Sequence, residues 1–499
     1  MPQKNESLVL LMSLIITILL VWMGLGWLTK RSENVWDSLV SHQNGAHGTP
    51  TNADRQQAIV NRLSTGEKIL IPGAVSSHKQ AGVAALAAGN YKQASDRLEA
   101  ALQENRNDPE ALIYLNNARI GQHKAYTIAA VIPSSGSNPN NALEMLRGFA
   151  QAQHEVNQSG GINGVPLKVL IADDSDRPEI ATQIATTLVQ NPDILAVTGH
   201  WTSDVSLAAA SVYDSGKLVF IAPVSTTIKL SNLSPYVFRT TINNYTGGRA
   251  LADYMLTQMQ RRKVAIFFLP QVTYSQELKS EFAAAVSLGG GEVIAEFDLS
   301  APGFSAARSV KQATERGAEV LMLATNNAAV DKALQVVQVN DKRLGVLGDV
   351  ANLYTSKTLE VGGDAADGMV MAVPWHIEGN PHSTFPNQSR QLWGADVNGV
   401  TAMSYDALQA LIAALKRRPT RAGIQQVLSA LNFSAMGSAK AIRFSSSGDV
   451  NSPVQLVKVS PANPSRSGTG YDFVPVSLSG AENLADTLQE ETAAPLPPR

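Results

Sequence analysis

From Ala125 almost to the end, short apolar runs bounded by polar turn residues alternate with stretches of helical periodicity. That alternation limits the chain to an α/β fold on parallel sheets, because parallel strands need a crossover, usually helical, between them. Thr127–Ile132, Leu167–Ile171, Ile194–Val197 and Leu218–Ile221 read as strands, with helices over Leu143–Gln158, Ile180–Gln190 and Val205–Tyr213 between them. Phe238-Arg239-Thr240-Thr241 marks a break. A second series then starts at Lys263–Phe268 and continues through Glu292–Phe297, Val320–Leu323, Leu344–Leu347 and Gly368–Pro374, before a strong helix at Ser404–Leu415. Two similar halves imply two doubly wound lobes with right-handed crossovers.

At 499 residues the chain exceeds one ordinary core. With 44% hydrophobic residues it has the composition of a folded protein, and a net charge of -2 argues against a nucleic-acid partner, which needs a basic face. No cysteine is present, so disulfides, thiolate metal sites and thiol nucleophiles are excluded. Leu8 to Leu28 is an uncharged run of about 21 residues, long enough to cross a bilayer as a helix, and reads as an uncleaved anchor. A cleavable signal peptide is the competing reading, and Gly26-Trp-Leu-Thr-Lys-Arg makes a poor cleavage site for it. Lys4 before the run and Lys30 and Arg31 after it leave the orientation open.

Composition shifts divide the chain into an anchor at 1–31, a polar spacer at 32–77, a helical hairpin at 78–122, a two-lobe domain at 125–480 and an acidic, Pro-rich disordered tail at 481–499. The lobes are expected at about 125–243 with 374–440, and 246–372 with 441–480. In the hairpin, Gly82, Ala85, Ala94, Leu98 and Ala101 have helical spacing, Gly89-Asn90 turns the chain, and Pro109 opens a third helix. The pattern resembles one tetratricopeptide repeat plus the first helix of a second; a plain hairpin without binding duty fits equally well.

Two strand ends carry the functional signal: Gly199-His200-Trp201-Thr202-Ser203 and Ala222-Pro223-Val224-Ser225-Thr226. In open α/β folds ligands bind at the carboxyl edge of the sheet, where these residues fall. Hydroxyls there, with free N–H groups at the next helix start, suit a small anion; helix capping is the alternative use for the same side chains. No Gly-x-Ser-x-Gly elbow, His-Glu-x-x-His pair, phosphate loop or dinucleotide fingerprint occurs, so the expectation is a protein without catalysis, metal or cofactor. His200 reads as a hydrogen-bonded structural histidine, and Asp204 as a residue of a helix start.

The span Ala125–Val476, 352 of the 499 residues, resembles the leucine/isoleucine/valine-binding proteins, which have the type I periplasmic solute-binding fold. The resemblance rests on an ordered series: Val156-Asn157 with Ser159–Leu167, Asp173-Asp174-Ser175, Gly199-His200 with Ser203, Pro223–Thr226, Arg239-Thr240-Thr241 and Tyr405-Asp406-Ala407-Leu408. It implies a clam-like pair of lobes that closes over a small amphoteric solute. Ser203 and Thr226 would hold its carboxylate with backbone groups of Val224 and Thr226, and Ser225 stands beside them. Tyr274 and Asn326 would line the second lobe, and Asp349 would meet an ammonium. Asp204 departs from the pattern, since a carboxylate beside Ser203 repels an anionic ligand, and the segment around Asp349 is about two residues short. Thr240, Thr241, Ala372 and Pro374 would form the hinge. The implied role is an inner-membrane-anchored periplasmic binding subunit of an ATP-driven importer with a permease and ATPase, or a sensor reporting closure to a signalling partner.

Overall fold

The computed structural model of the protein describes residues 52–476 apart from 137 and 350. Leu8–Leu28 and the tail at 481–499 lie outside the described residues, and no described helix is long and apolar enough to cross a membrane. Residues 52–61, with helix α1 (Asn52–Val60), belong to a unit separate from the rest.

The second unit begins at Arg62, and its first residues are not a spacer. Strand β1 (Leu63–Ser64) pairs antiparallel with Leu167–Asp173, and Arg62 bonds the Asp173 carboxylate at 3.1 Å. Glu110 then accepts the backbone N–H of Leu70 at 2.6 Å. The composition of 62–71 is loop-like, but these long-range bonds fasten its start to the first sheet and Leu70 to Glu110.

Helices α2 (Ser77–Ala87) and α3 (Tyr91–Glu104) form the expected hairpin. Gly82 lets them approach: a Cβ there would lie 2.7 Å from Leu98 Cγ. Ser76 caps α2 by accepting from Lys79 N. Helix α4 (Pro109–Ile120) follows with proline in its first turn and Asp108 as its cap, and is almost wholly buried. Its Asn117 donates to the Val169 carbonyl at 2.7 Å, so α4 is welded to the first lobe.

Lobe 1 carries β2 (Tyr126–Ile132), β3 (Leu167–Asp173), β4 (Ile194–Gly199), β5 (Phe220–Ala222) and β6 (Val237–Arg239), in spatial order β1-β3-β2-β4-β5-β6. Helices α5 (Pro139–Gln158), α6 (Pro178–Gln190) and α7 (Ser203–Ser215) make its crossovers. Ile128 to Ile132 are all buried, as strands covered on both faces require. Gly199 has φ +134, and a Cβ there would stand 2.0 Å from the Val131 carbonyl oxygen. Only glycine lets β4 lie this close to β2 as it turns toward α7.

Lobe 2 opens with α8 (Asn244–Thr257) and contains β7 (Lys263–Phe268), α9 (Thr273–Leu288), β8 (Glu292–Asp298), α10 (Ala306–Glu315), β9 (Val320–Leu323), α11 (Val330–Asn340), β10 (Gly345–Gly348) and β11 (Val370–Val373). The chain then returns to lobe 1 through α12 (Phe385–Trp393), α13 (Gly399–Arg417), α14 (Arg421–Leu428) and the ribbon β12 (Ala435–Met436) and β13 (Ala441–Ile442). Helix α13 packs directly on α5: a Cβ on Gly148 would come 2.3 Å from the Thr401 carbonyl oxygen. Finally β14 (Gln455–Pro461) and β15 (Tyr471–Pro475) complete the second sheet, ordered β15-β14-β11-β10-β9-β7-β8, with both last strands antiparallel.

The parallel strands run β3-β2-β4-β5-β6 in one lobe and β8-β7-β9-β10-β11 in the other, the same doubly wound order twice. Three segments connect the lobes among the described residues: 240–243, 374–384 and 451–454. The third lies later than the expected boundary at 440/441. Asp449 still bridges Arg239 in lobe 1, and pairing with β11 starts only at Gln455.

Candidate functional site

A cleft of about 420 Å³ opens between the lobes and is lined from both. On lobe 1 it is bounded by Trp201–Asp204 after β4, Pro223–Thr226 after β5 and Asp176 after β3. On lobe 2 it is bounded by Val272 and Tyr274 after β7, Asn326 after β9, and Asn352, Tyr354 and Thr355 after β10. These are carboxyl ends of parallel strands, where backbone polar groups leave the sheet and remain available.

The structure brings six of the seven expected ligand residues to this wall: Ser203, Val224, Ser225, Thr226, Tyr274 and Asn326. Ser203 opens α7, and the preceding Thr202 makes no side-chain cap bond to its own helix. Ser225 is 2% exposed, and its Oγ has no hydrogen-bond partner. An orphan hydroxyl of this kind costs about 1–3 kcal/mol unless something else satisfies it. The Thr226 carbonyl accepts Asn244 N at 2.8 Å, tying this wall to the first turn of α8. Asn326 Oδ1 caps the short helix behind it by accepting Ala329 N at 3.0 Å.

Asp349 is the exception. It is 1% exposed and does not line the cleft. Its oxygens accept from Tyr274 OH (3.1 Å), Thr325 N (3.0 Å), Asn352 N (2.8 Å) and Asn352 Nδ2 (3.0 Å). Burial raises its pKa to about 6 despite these donors. The carboxylate therefore positions Tyr274 and Asn352, which do face the cleft. Burial, and then Asp349 itself, push the Tyr274 phenol well above its usual range, so it stays a donor.

His200 is fully buried between Asp174 (Nδ1 to Oδ2, 2.7 Å) and the Tyr213 hydroxyl (Nε2, 3.1 Å), a structural position as its sequence context suggested. Asp204 lies in the first turn of α7 and accepts from Thr273 of lobe 2 at 2.7 Å. Among the expected hinge residues, Thr240, Thr241 and Pro374 lie in connecting segments, and Thr240 Oγ1 donates to the Met403 carbonyl at 2.9 Å. Ala372 instead sits inside β11, paired with Leu456, where ladder bonds hold it rigid. Arg239 is 1% exposed; it bonds the Asp449 carboxylate, Ser231 Oγ and the Thr227 carbonyl, and pins the chain entering the hinge.

Sequence reasoning missed Asn141 and Glu144 of α5, Asp176, Tyr354, Thr355, Asn398 and Met403, all on the cleft wall. Asp176 could have been found, since it follows β3 by three residues. Asn141, Glu144, Asn398 and Met403 carry no local signal, because α5 and α13 reach the cleft only through tertiary packing, and Tyr354 and Thr355 lie six and seven residues beyond the end of β10. Among the described residues no group of three or more His, Cys, Asp or Glu side chains could hold a metal ion.

Residues 125–466 match the family described as periplasmic binding protein. The chain belongs to the periplasmic binding protein family. This is a family of solute-binding proteins, not of enzymes. An amino acid binding protein of Pseudomonas aeruginosa is 32% identical over 166 residues, which span 33% of this chain and 44% of that relative. Leu/Ile/Val-binding protein homolog 3 of Brucella melitensis is 25% identical over 338 residues, spanning 66% of this chain and 89% of the relative. Among solved structures, an ABC transporter substrate-binding protein of Desulfitobacterium hafniense in complex with Leu superposes with a TM-score of 0.60 at 22% identity, over 70% of this chain and 100% of that one. At that identity the likeness establishes the type I periplasmic binding fold and nothing finer.

Proposed function

We propose that the protein captures a small polar metabolite of amino-acid type between its lobes and delivers it to an ATP-driven importer in a bacterial envelope. The observation carrying this reading is the cleft itself, walled on both sides by hydroxyl and amide groups at strand ends and lying between two lobes joined by three connecting segments. The solute would dock on the Ser203/Thr226 wall, and closure would remove its water and complete its hydrogen bonds. Ser203, Val224, Ser225, Thr226, Tyr274 and Asn326 are the proposed contacts, with Asp349 acting behind Tyr274. A periplasmic location with tethering through Leu8–Leu28 belongs to the same reading.

A thermal-shift screen of the protein against amino acids, amides, urea and dipeptides, followed by solution scattering with each hit, tests it. Stabilisation by a hit together with a smaller radius of gyration supports capture; no hit, or a hit without compaction, refutes it.

A second reading, a sensing subunit, is favoured by one observation. Asn107 of the hairpin accepts from Arg147 Nε at 2.7 Å, and Arg147 pairs with Glu144 at the cleft wall at 2.5 Å. Ligand contact at Glu144 would thus reach the hairpin in two steps. The tetratricopeptide-like helices would then report closure to a signalling partner. Ligand-dependent protection of 105–108 in hydrogen exchange, lost in Arg147→Met, separates sensing from delivery alone.

A further inference from the structure

The charge on the cleft wall is one-sided. Glu144, Asp176 and Asp204 line it, and among the described residues no Lys, Arg or His does. Glu144 is neutralised by Arg147 and also accepts from Thr401 Oγ1 at 2.6 Å. Asp176 and Asp204 have no cationic partner among the described residues. Asp176 Oδ1 accepts from Thr202 Oγ1 (2.8 Å) and Thr202 N (3.3 Å), and Asp204 Oδ1 accepts from Thr273 Oγ1 (2.7 Å). Both carboxylates therefore flank the N-terminal turn of α7, where a ligand carboxylate would otherwise be expected. The partial positive charge of a helix end, about half a unit, is outweighed there by two full negative charges. One of the free N–H donors of that turn is already given to Asp176.

A second, independent feature points to a ligand. Ser225 Oγ, on the same wall and 2% exposed, has no partner in the protein, and a hydroxyl oxygen accepts from an ammonium or guanidinium as readily as it donates. Trp201 and Tyr354 add aromatic surface to the cleft, which attracts organic cations further. A metal ion is the poorer fit, since no third acidic or imidazole donor joins the two carboxylates.

We propose that the cleft takes an organic cation, a solute whose ammonium or guanidinium end docks between Asp176 and Asp204 and donates to Ser225 Oγ, in preference to one that presents a carboxylate there. This rests on the capture reading above and narrows its ligand class. Burial already holds the Asp176 carboxyl above the usual carboxylate range, and a docked cation would reverse that shift.

The test is calorimetry on the full chain with two pairs of probes, arginine against agmatine and leucine against isoamylamine. Each pair differs only by the carboxylate. The amine that lacks it is expected to bind about tenfold more tightly than its amino acid, and to lose affinity as salt rises. Asp176→Asn and Asp204→Asn should each weaken agmatine about tenfold. Asparagine tolerates the φ of +54 at residue 176, so the fold should survive; should Asp176→Asn not fold, Asp204→Asn and the probe pairs decide. Arginine or leucine binding as tightly as its amine, or agmatine indifferent to Asp204→Asn, overturns the cation proposal while leaving capture intact. If none of these probes and none of the wider metabolite panel binds, capture itself fails and the cation proposal falls with it.

Discussion

Thr273 Oγ1 donates a 2.7 Å hydrogen bond to Asp204 Oδ1, joining the first turn of α9 in lobe 2 to the first turn of α7 in lobe 1. A second tie lies nearer the hinge, where Glu277 of α9 accepts Thr227 Oγ1 at 2.8 Å and Ile228 N at 3.1 Å. Thr273 and Glu277, four residues apart on α9, thus both tie lobe 2 to lobe 1.

Removing the outer tie should shift the lobes toward separation. Thr273→Val keeps the side-chain shape and deletes a hydrogen bond of about 1 kcal/mol, so the ratio of closed to open molecules should fall roughly fivefold. Small-angle scattering of the ligand-free protein should show a larger radius of gyration, restored in Thr273→Ser. A profile unchanged from the parent would show that the bond does not govern lobe approach.

Ser225 and Thr226 should report ligand contact without harming the fold. Ser225 Oγ bonds nothing in the protein, so Ser225→Ala is expected to leave the ligand-free melting temperature unchanged or raised. The same substitution should cost ligand affinity about 1 kcal/mol, and Thr226→Val about 1–3 kcal/mol. Calorimetry beside differential scanning measurements separates the two effects. A drop in ligand-free stability with intact affinity would assign the hydroxyls to packing.

Asp349 acts through Tyr274 and Asn352, so its loss should not distinguish ligands by their amino group. Asp349→Asn leaves the Thr325 N–H facing an amide donor, a cost of about 1–3 kcal/mol in stability. Affinities for leucine and for its desamino analogue, 4-methylpentanoate, should fall by the same factor. A selective loss for leucine would place Asp349 against an ammonium after all.

The pH dependence of stability should carry the mark of Asp406. This carboxyl accepts Ser438 N and Ser438 Oγ, and burial raises its pKa to about 7 from 3.8. The folded state therefore holds the proton more tightly than the unfolded chain. Its stabilising contribution is complete below about pH 4 and is lost as pH climbs through 7, a change on the order of a few kcal/mol. Asp406→Asn preserves both contacts to Ser438 and cannot titrate. Its melting temperature should decline less between pH 4 and 7 than the parent's, and parallel curves would show that Asp406 does not titrate in that window.

Period and punctuation made the parallel strands readable in advance. Lys263–Phe268 and Val320–Leu323 form strands with the bounds their sequence suggests, since a continuous apolar run flanked by turns has few other uses in a chain this long. The hydroxyls after β4 and β5 were visible for the same reason: a strand's end and the next helix's start are both local signals. The antiparallel pair β14 and β15 left a weaker trace. Only Val457 and Val459 of the pair are buried, so the hydrophobic pattern is thin.

Local chemistry thus settled that two doubly wound halves exist and which strand ends face outward. Packing settled what each polar group does there. Leu63–Ser64 became an edge strand because β3 offered unpaired backbone groups, which no reading of a two-residue segment reveals. Asp349 went behind Tyr274 rather than into the cleft, and Asp176 and Asp204 converged on one helix end from different crossovers. Such placements depend on distances between residues remote in the chain, and electrostatic meaning comes with those distances rather than with residue type.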